Sequence, residues 1–212
     1  MIRKTIILTL TICLSLVLFF PSSIQAQNAL NITRNTTSAE FPDGLHFNLS
    51  AQSRVNITDV RLHYTVDHTS FAEVTSEVFI EFIPDTTIKV KWIWDMRKTG
   101  GLPPGATVEY WWTITNDRGD RAITAPIKVS FDDNRYIWQN LTEDEITIYW
   151  YHGEKSVAEE MMVASRQALT QLAKDTGAEL KKAVKIYLYA NTRDLQGAMI
   201  YPQEWTGGTA FT

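Results

Sequence analysis

Arg135-Tyr136-Ile137-Trp138-Gln139-Asn140-Leu141-Thr142-Glu143-Asp144-Glu145-Ile146-Thr147-Ile148-Tyr149-Trp150-Tyr151 divides the chain in two. Upstream, the apolar pattern has a period of two. Downstream, it changes to strand, long helix, strand. Within the stretch, Ile146, Ile148 and Trp150 alternate with Thr147, Tyr149 and Tyr151, which places the two sets on opposite faces of a strand. The residues before it read as a short aromatic linker, with Glu143-Asp144-Glu145 as a solvated turn. This strand opens a second domain, spanning 136–212.

After it, His152-Gly153 breaks the strand. Ser156 and Glu159 have the spacing of a capping box, which satisfies free N–H groups at a helix start from both sides. Val157, Met161, Ala164, Ala168 and Leu172 recur at helical spacing and predict the buried face of a helix reaching about Lys174. Glu159 and Glu160 are placed in its first turn, where the helix dipole favours negative charge. Gly177 closes it in the left-handed conformation. Ala183 to Ala190 predicts a second strand, with Val184, Ile186 and Leu188 on one face. Asn191 caps a short helix from Thr192 to Met199, with Asp194 in its first turn. A loop with Tyr201-Pro202 and Trp205 follows, and Gly207-Gly208 leads into Thr209-Ala210-Phe211, the expected start of a third strand. One helix covers one face of such a sheet, and no cysteine or metal site staples the small domain. The expectation is therefore an N-terminal portion of a longer protein, with an incomplete α+β second domain.

Upstream, strand candidates fall at 30–36, 44–52, 55–66, 72–83, 86–95, 106–116 and 121–131. Leu45, Phe47 and Leu49 share one face, as do Val60, Leu62 and Tyr64, and Ile88, Val90, Trp92 and Trp94. Turns are supplied by Pro42-Asp43-Gly44, Thr99-Gly100-Gly101 and Asn116-Asp117-Arg118-Gly119. Short strands at this spacing predict an antiparallel β-sandwich over 28–132. Tyr110, after Leu102-Pro103-Pro104-Gly105, is the candidate for a structural tyrosine corner, in which the hydroxyl bonds back to the backbone. No cysteine pair is present, so the sandwich is immunoglobulin-like in the fibronectin-III sense.

The N-terminus reads as a signal peptide over 1–26. Arg3 and Lys4 precede an apolar run from Ile6 to Phe20, and Ala26 is the small residue before cleavage. An uncleaved anchor is the alternative. The single cysteine, Cys13, lies in the apolar run and lacks the small-residue context of a lipid anchor. The chain is therefore expected to be exported, to the cell surface or beyond, and held together without disulfides. Loss of Arg3 and Lys4 moves the formal charge from -4 to -6, which argues against nucleic acid as a partner. N-x-S/T sites occur at Asn31, Asn35, Asn48, Asn56 and Asn140. They are glycan acceptors in a eukaryotic secretory pathway and chance composition in a bacterial one.

Catalytic chemistry is scarce. His46, His63, His68 and His152 show no metal-ligand spacing, and no His-Glu-x-x-His, calcium loop, nucleophile elbow or phosphate loop occurs. The sequence offers no catalytic and no metal-ligating residue. Trp92, Trp94, Trp111 and Trp112 raise the alternative of a sugar-stacking platform on a secreted adhesion or carbohydrate-binding module, with a glycan as partner. Trp111 and Trp112 point to opposite faces, so at least one belongs to the core.

Leu102-Pro103-Pro104-Gly105 with Tyr110-Trp111-Trp112, Asn116-Asp117-Arg118-Gly119, Arg135-Tyr136-Ile137-Trp138 and Ile148-Tyr149-Trp150-Tyr151-His152-Gly153 resemble bacterial exported proteins of the peptidase MA-like family. These are gluzincin-type zinc metallopeptidases. The resemblance spans about 30–212 and rests on aromatic and turn patterns. It implies a sandwich followed by a zincin-like catalytic domain, a peptide or protein substrate, zinc in the full-length parent, and in many members a membrane anchor, here beyond Thr212. Carried over, Gly208, Thr209, Ala210 and Phe211 are the start of an edge strand that pairs with an extended substrate. The family's zinc histidines, general-base glutamate and third zinc ligand have no counterpart in this sequence. No cofactor is expected for these residues themselves.

Overall fold

The computed structural model describes residues 30–67, 74–178, 180 and 182–210. The signal-peptide and anchor expectations, Cys13, His68, Phe211 and the start of the 72–83 strand lie outside them. The architecture is mainly β, in two sheets with separate cores.

The first sheet has seven strands and is organised on one of them. Strand β2 (Gly44–Val66) is 23 residues long and serves two sets of neighbours. Its first half pairs antiparallel with β1 (Leu30–Glu40) and β4 (Asp85–Asp95). Its second half pairs with β3 (Ser76–Phe79) and β5 (Ala106–Asn116). Register shifts against β4 between Gln52 and Ile57, and against β5 between Ile57 and Asp59, mark where it bends. The bend has a consequence for side-chain direction. Leu45, Phe47, Leu49, Ala51 and Ile57 are buried at odd positions, whereas Val60 and Leu62 are buried at even ones. An extra residue in a ladder flips the alternation, so both halves aim at one core. The sheet thus curls over on itself, as a sandwich requires. The two expected strands 44–52 and 55–66 are one strand with a bulge. The expected strand 121–131 is two, β6 (Arg121–Ile123) and β7 (Ile127–Phe131), both on β5. Pro126 between them has no N–H for a ladder.

Alternation on β4 and β5 decides the fate of the tryptophans. Trp94 and Trp112 are buried and Trp92 is partly buried against the same core, where it contacts Phe47, Tyr64 and Trp94. Trp111 alone of the four faces outward, stacked on His63 across the strands at 5.4 Å. The aromatic row is core and not an exposed platform. Tyr110 is fully buried, and its hydroxyl donates to Asn35 Oδ1 at 3.2 Å. The tyrosine-corner expectation is corrected in this respect. The acceptor is a side chain on β1 and not loop backbone, because Tyr110 sits mid-strand facing across the core. Trp112 Nε1 donates to the same Asn35 oxygen at 3.1 Å. Asn35→Ala strips both buried donors of their acceptor. We expect it to destabilise the protein by about 1–3 kcal/mol, read from the denaturant midpoint, since an unmade buried hydrogen bond costs that much.

The second sheet has the order β10-β9-β8. Strand β8 (Gln139–Glu143), within the expected linker, forms a hairpin with β9 (Ile146–Trp150), and Asp144 turns it with φ 49°. Helix α1 (Lys155–Thr176) then crosses to β10 (Val184–Leu188), which pairs parallel with β9. Such a connection is a βαβ unit. Gly177 ends α1 at φ 68° as expected, and Asn191 Oδ1 accepts from the Asp194 N–H to start α2 (Thr192–Gln196), shorter than expected.

Two expectations for α1 fail. Its N-cap is Glu154, with no side-chain cap bond, so Ser156 and Glu159 form no capping box. Helix start one residue before Ser156 moves Glu159 and Glu160 out of the first turn, and Glu159 pairs with Lys155 at 2.8 Å. The buried face is also displaced. Ala158 and Met162 are buried and Leu169 partly so, against Ile146, Ile148 and Trp150. Val157, Met161 and Leu172, expected inside, are exposed. Ala158 heads a second row of apolar residues at helical spacing, and packing selected that row.

Candidate functional site

The region of interest is the meeting of the two sheets and the segment after α2. One face of the small sheet is covered by α1. The other carries Tyr149, Tyr151, Tyr187 and the adjoining Tyr189, and it meets the first sheet. Lys185 Nζ donates to the Gly105 carbonyl. Gly105 has φ 75°, and a Cβ there would run into the Tyr187 hydroxyl, so glycine is needed both for the turn and for the close approach. The second face of the sheet is thus covered by the chain's own β-structure, a partner that its strand pattern did not reveal.

Asp133 is the centre of this junction. Its side chain is 0% exposed. It accepts from Arg135 Nε at 2.8 Å and Nη2 at 2.6 Å, and from the Tyr189 hydroxyl at 2.9 Å. Its backbone carbonyl accepts from Trp138 Nε1 at 2.7 Å. Arg135 Nη2 also donates to the Asp194 carbonyl, and its guanidinium lies over Phe41 and Tyr136. The hydrogen bonds that Arg135 donates to the Asp133 carboxylate raise the Arg135 pKa. The Tyr136 and Tyr151 rings stack with centroids 4.0 Å apart. Tyr151 donates to Asp194 Oδ2 at 2.6 Å and accepts from the Ala190 N–H. Tyr151-to-Asp194 bonding lowers the Asp194 pKa. All of these groups have partners within the fold, so the arrangement positions elements and holds no free acid or base.

The tyrosines give a pH signature. Burial, then the bond to Asp194, pushes the Tyr151 hydroxyl up to about 12. Burial raises Tyr187 and Tyr189 still further. In the unfolded chain these phenols ionise near 10. A pKa raised on folding means that the unfolded state releases its protons first. Their stability contribution is complete below about pH 10 and is lost as pH rises above it, the Tyr151 part through about 12 and the Tyr187 and Tyr189 parts at higher pH still. We expect the denaturant midpoint to fall across that window, and to fall less steeply in Tyr151→Phe.

The expected substrate strand can be placed only in part. Gly207, Gly208, Thr209 and Ala210 are exposed and in no ladder, because no described strand lies beside them. Ahead of them, Gln196 Nε2 donates to the Gln203 and Glu204 carbonyls, which ties the preceding turn to α2. Among the described residues no group of three or more His, Cys, Asp or Glu side chains could hold a metal ion. His46 pairs with Glu40, and His63 lies between Thr113 and Glu77 on the outer face of the first sheet. The described residues do not fit the donor set of a zinc peptidase. Among them, no helix is long and apolar enough to cross a membrane.

Residues 164–212, from mid-α1 to the end of the sequence, match the model of the Peptidase MA superfamily. The C-terminal region is peptidase MA-like. No curated protein matches the sequence. Among solved structures, wild-type OgpA from Akkermansia muciniphila is similar at 9% identity, over 50% of this chain and 30% of that one, with a TM-score of 0.36. A catalytically inactive OgpA in complex with an O-glycopeptide substrate gives 10% identity, 53% and 32% coverage, and 0.36. A carbohydrate-binding module family 56 β-1,3-glucan-binding domain gives 19%, 45% and 95%, and 0.27. Similarity at that level carries no argument about fold or activity. The chain's match spans about a third of OgpA. The residues that match the family model begin inside α1 and include β10, α2 and the segment after it.

Proposed function

We propose that this chain is the N-terminal portion of an exported zinc metallopeptidase that cleaves peptide or protein substrates. The observation that carries the reading is the peptidase MA superfamily match over 164–212. In this reading the curled sheet is a fibronectin-III-like sandwich, and β8 to α2 open a zincin-like domain. The signal peptide 1–26 directs export, and an anchor to the membrane belongs to the rest of the protein. Gly208, Thr209, Ala210 and Phe211 then form an edge strand that pairs with an extended substrate backbone once a neighbouring strand is present.

The superfamily is typically zinc-dependent, and among the described residues no group of three or more His, Cys, Asp or Glu side chains could hold the ion. No catalytic step is assigned to the residues in hand. What they do is structural. The junction at Asp133 and Arg135 sets the small sheet, and hence the segment after α2, against the sandwich. The test is to express the complete gene, measure bound zinc by atomic absorption and assay peptide hydrolysis with and without a chelator. Stoichiometric zinc and chelator-sensitive hydrolysis support the reading. A zinc-free product with no hydrolysis removes it.

A further inference from the structure

The first half of β2 carries a polar face as well as its share of the core. Leu45, Phe47, Leu49 and Ala51 point inward, so His46, Asn48, Ser50 and Gln52 point outward. The ladders spread this outer face over three strands. Arg34 on β1, Ser50 on β2 and Lys89 on β4 share one row, and Thr36, Asn48 and Lys91 share the next. Ser38, His46 and Ile93 form a third. Pairing between β2 and β4 is unbroken from Gly44 to Gln52, so the face is continuous. Strands about 4.8 Å apart put Arg34 and Lys89 about 10 Å from each other at Cα, with Lys91 about 7 Å from Lys89 along β4.

Charge on this face has one sign. The chain has a formal charge of -4, yet none of the three rows holds an Asp or Glu. Arg34, Lys89 and Lys91 are exposed and form no ion pair among the described residues, and Arg34 Nε donates to the Thr36 hydroxyl at 3.3 Å. Carboxylates stand beyond the ends of the rows, and they are engaged. Glu40 pairs with His46 at 3.0 Å and Asp95 with Arg97 at 2.8 Å, while Asp85 accepts from Thr86 and Thr87. The other half of β2 is built differently, because Arg61 there pairs with both Asp59 and Glu77. Strands β1 and β4 pair only with β2 among the described residues, and charge on such edges discourages edge-to-edge association. Carboxylates would serve that end equally, so it does not account for a single sign.

We propose that this outer face of β1, β2 and β4 binds an anionic polysaccharide. The carboxylate or sulfate groups of the polymer lie over Arg34, Lys89 and Lys91, and its ring hydroxyls meet Thr36, Asn48 and Ser50. Hydroxyl and amide side chains both donate and accept, as sugar hydroxyls do. They are also short, so the three long cationic side chains rise above them and reach a ligand laid flat on the sheet. A protein partner calls for an apolar centre, and a lipid surface calls for apolar side chains that insert. In these rows Ile93, at one end, is the one large apolar side chain presented. The inference goes beyond the peptidase reading and does not use it.

The test is affinity electrophoresis of the secreted product of the complete gene. It is made in a bacterial host, so that Asn31 and Asn48 on this face stay free of N-glycans. The gels contain polygalacturonate, chondroitin sulfate, neutral dextran or polyphosphate. We expect retardation by at least one of the two acidic polysaccharides and none by dextran, with the retardation fading as salt rises. The first two gels separate a carboxylate from a sulfate as the anion. Lys89→Glu/Lys91→Glu should weaken binding roughly tenfold or more, and Lys89→Gln/Lys91→Gln, which adds no new charge to the fold, roughly threefold or more. Arg121→Glu/Lys128→Glu makes the same change in net charge on the other half of the sheet and should leave binding within about twofold. Equal losses from the two Glu double variants would overturn the proposal, as would retardation by neither acidic polysaccharide. Polyphosphate binding as tight as polysaccharide binding would show that charge acts without the sugar, and would overturn it as well. Sedimentation with phosphatidylglycerol vesicles, in the absence of polysaccharide binding, would assign the face to a membrane and have the same result. Peptide hydrolysis is not part of the readout, so the outcome is separate from that of the peptidase reading.

Discussion

Arg135→Ala lowers the stability of the protein by about 2–4 kcal/mol, with the unfolding midpoint falling by roughly 5–15 °C. The reason is Asp133. Its carboxylate is 0% exposed, and Arg135 supplies its counter-charge through two side-chain bonds of 2.8 and 2.6 Å. Removal of the arginine leaves a buried charge with only the Tyr189 hydroxyl and the Arg135 backbone N–H to meet it. Breaking a buried pair costs about 3–5 kcal/mol, and the 28% exposure of the Arg135 side chain lowers that figure through solvent screening. The double variant Asp133→Ala/Arg135→Ala separates pairing from packing. It should be less damaging than the sum of the single variants, because no unpaired charge remains. Additive losses in thermal or urea unfolding would show that Arg135 acts only by covering Phe41 and Tyr136.

The neighbouring pair Trp111 and Trp112 tests the register of the first sheet. Trp112 is 0% exposed and bonded to Asn35, so Trp112→Ala should cost about 3–5 kcal/mol. Trp111 stands on the outer face against His63, and Trp111→Ala should cost about 1 kcal/mol or less. The two substitutions delete the same atoms one residue apart, so strand parity alone separates their effects. Similar losses from both, measured by urea denaturation, would mean that the faces of β5 are assigned wrongly. Glycan binding retained by Trp111→Phe and lost in Trp111→Ala would reopen the carbohydrate reading at that single residue.

How much could be read before folding depended on which property set each feature. Strand existence follows from period-two alternation, and Leu45, Phe47, Leu49, Val60, Leu62, Ile88, Val90 and Trp94 are all buried as their pattern predicts. Helix termination at Gly177 and the cap at Asn191 follow from backbone chemistry within a few residues, and both hold. The face of α1 does not follow. Two apolar rows were available, and burial went to the row beginning at Ala158 because the adjoining sheet chose it. The strand β8 was hidden in an aromatic linker, since its ladder partner β9 supplies the stabilisation.

The candidate site divides in the same way. The resemblance to the peptidase MA-like family was carried by aromatic and turn motifs between Leu102 and Gly153, and the family match, which covers residues 164–212, bears out the family itself. The sequence alone also determined that these residues carry no zinc signature, because ligand spacing on a helix is a local property. Only the tertiary structure decided that Trp92, Trp94 and Trp112 are core and that Asp133 and Arg135 join the two sheets through Tyr189 and the Asp194 carbonyl. Each of these depends on contacts between residues far apart in the chain. Period and propensity state which surfaces an element offers, and the shape of its neighbours decides which of them are buried.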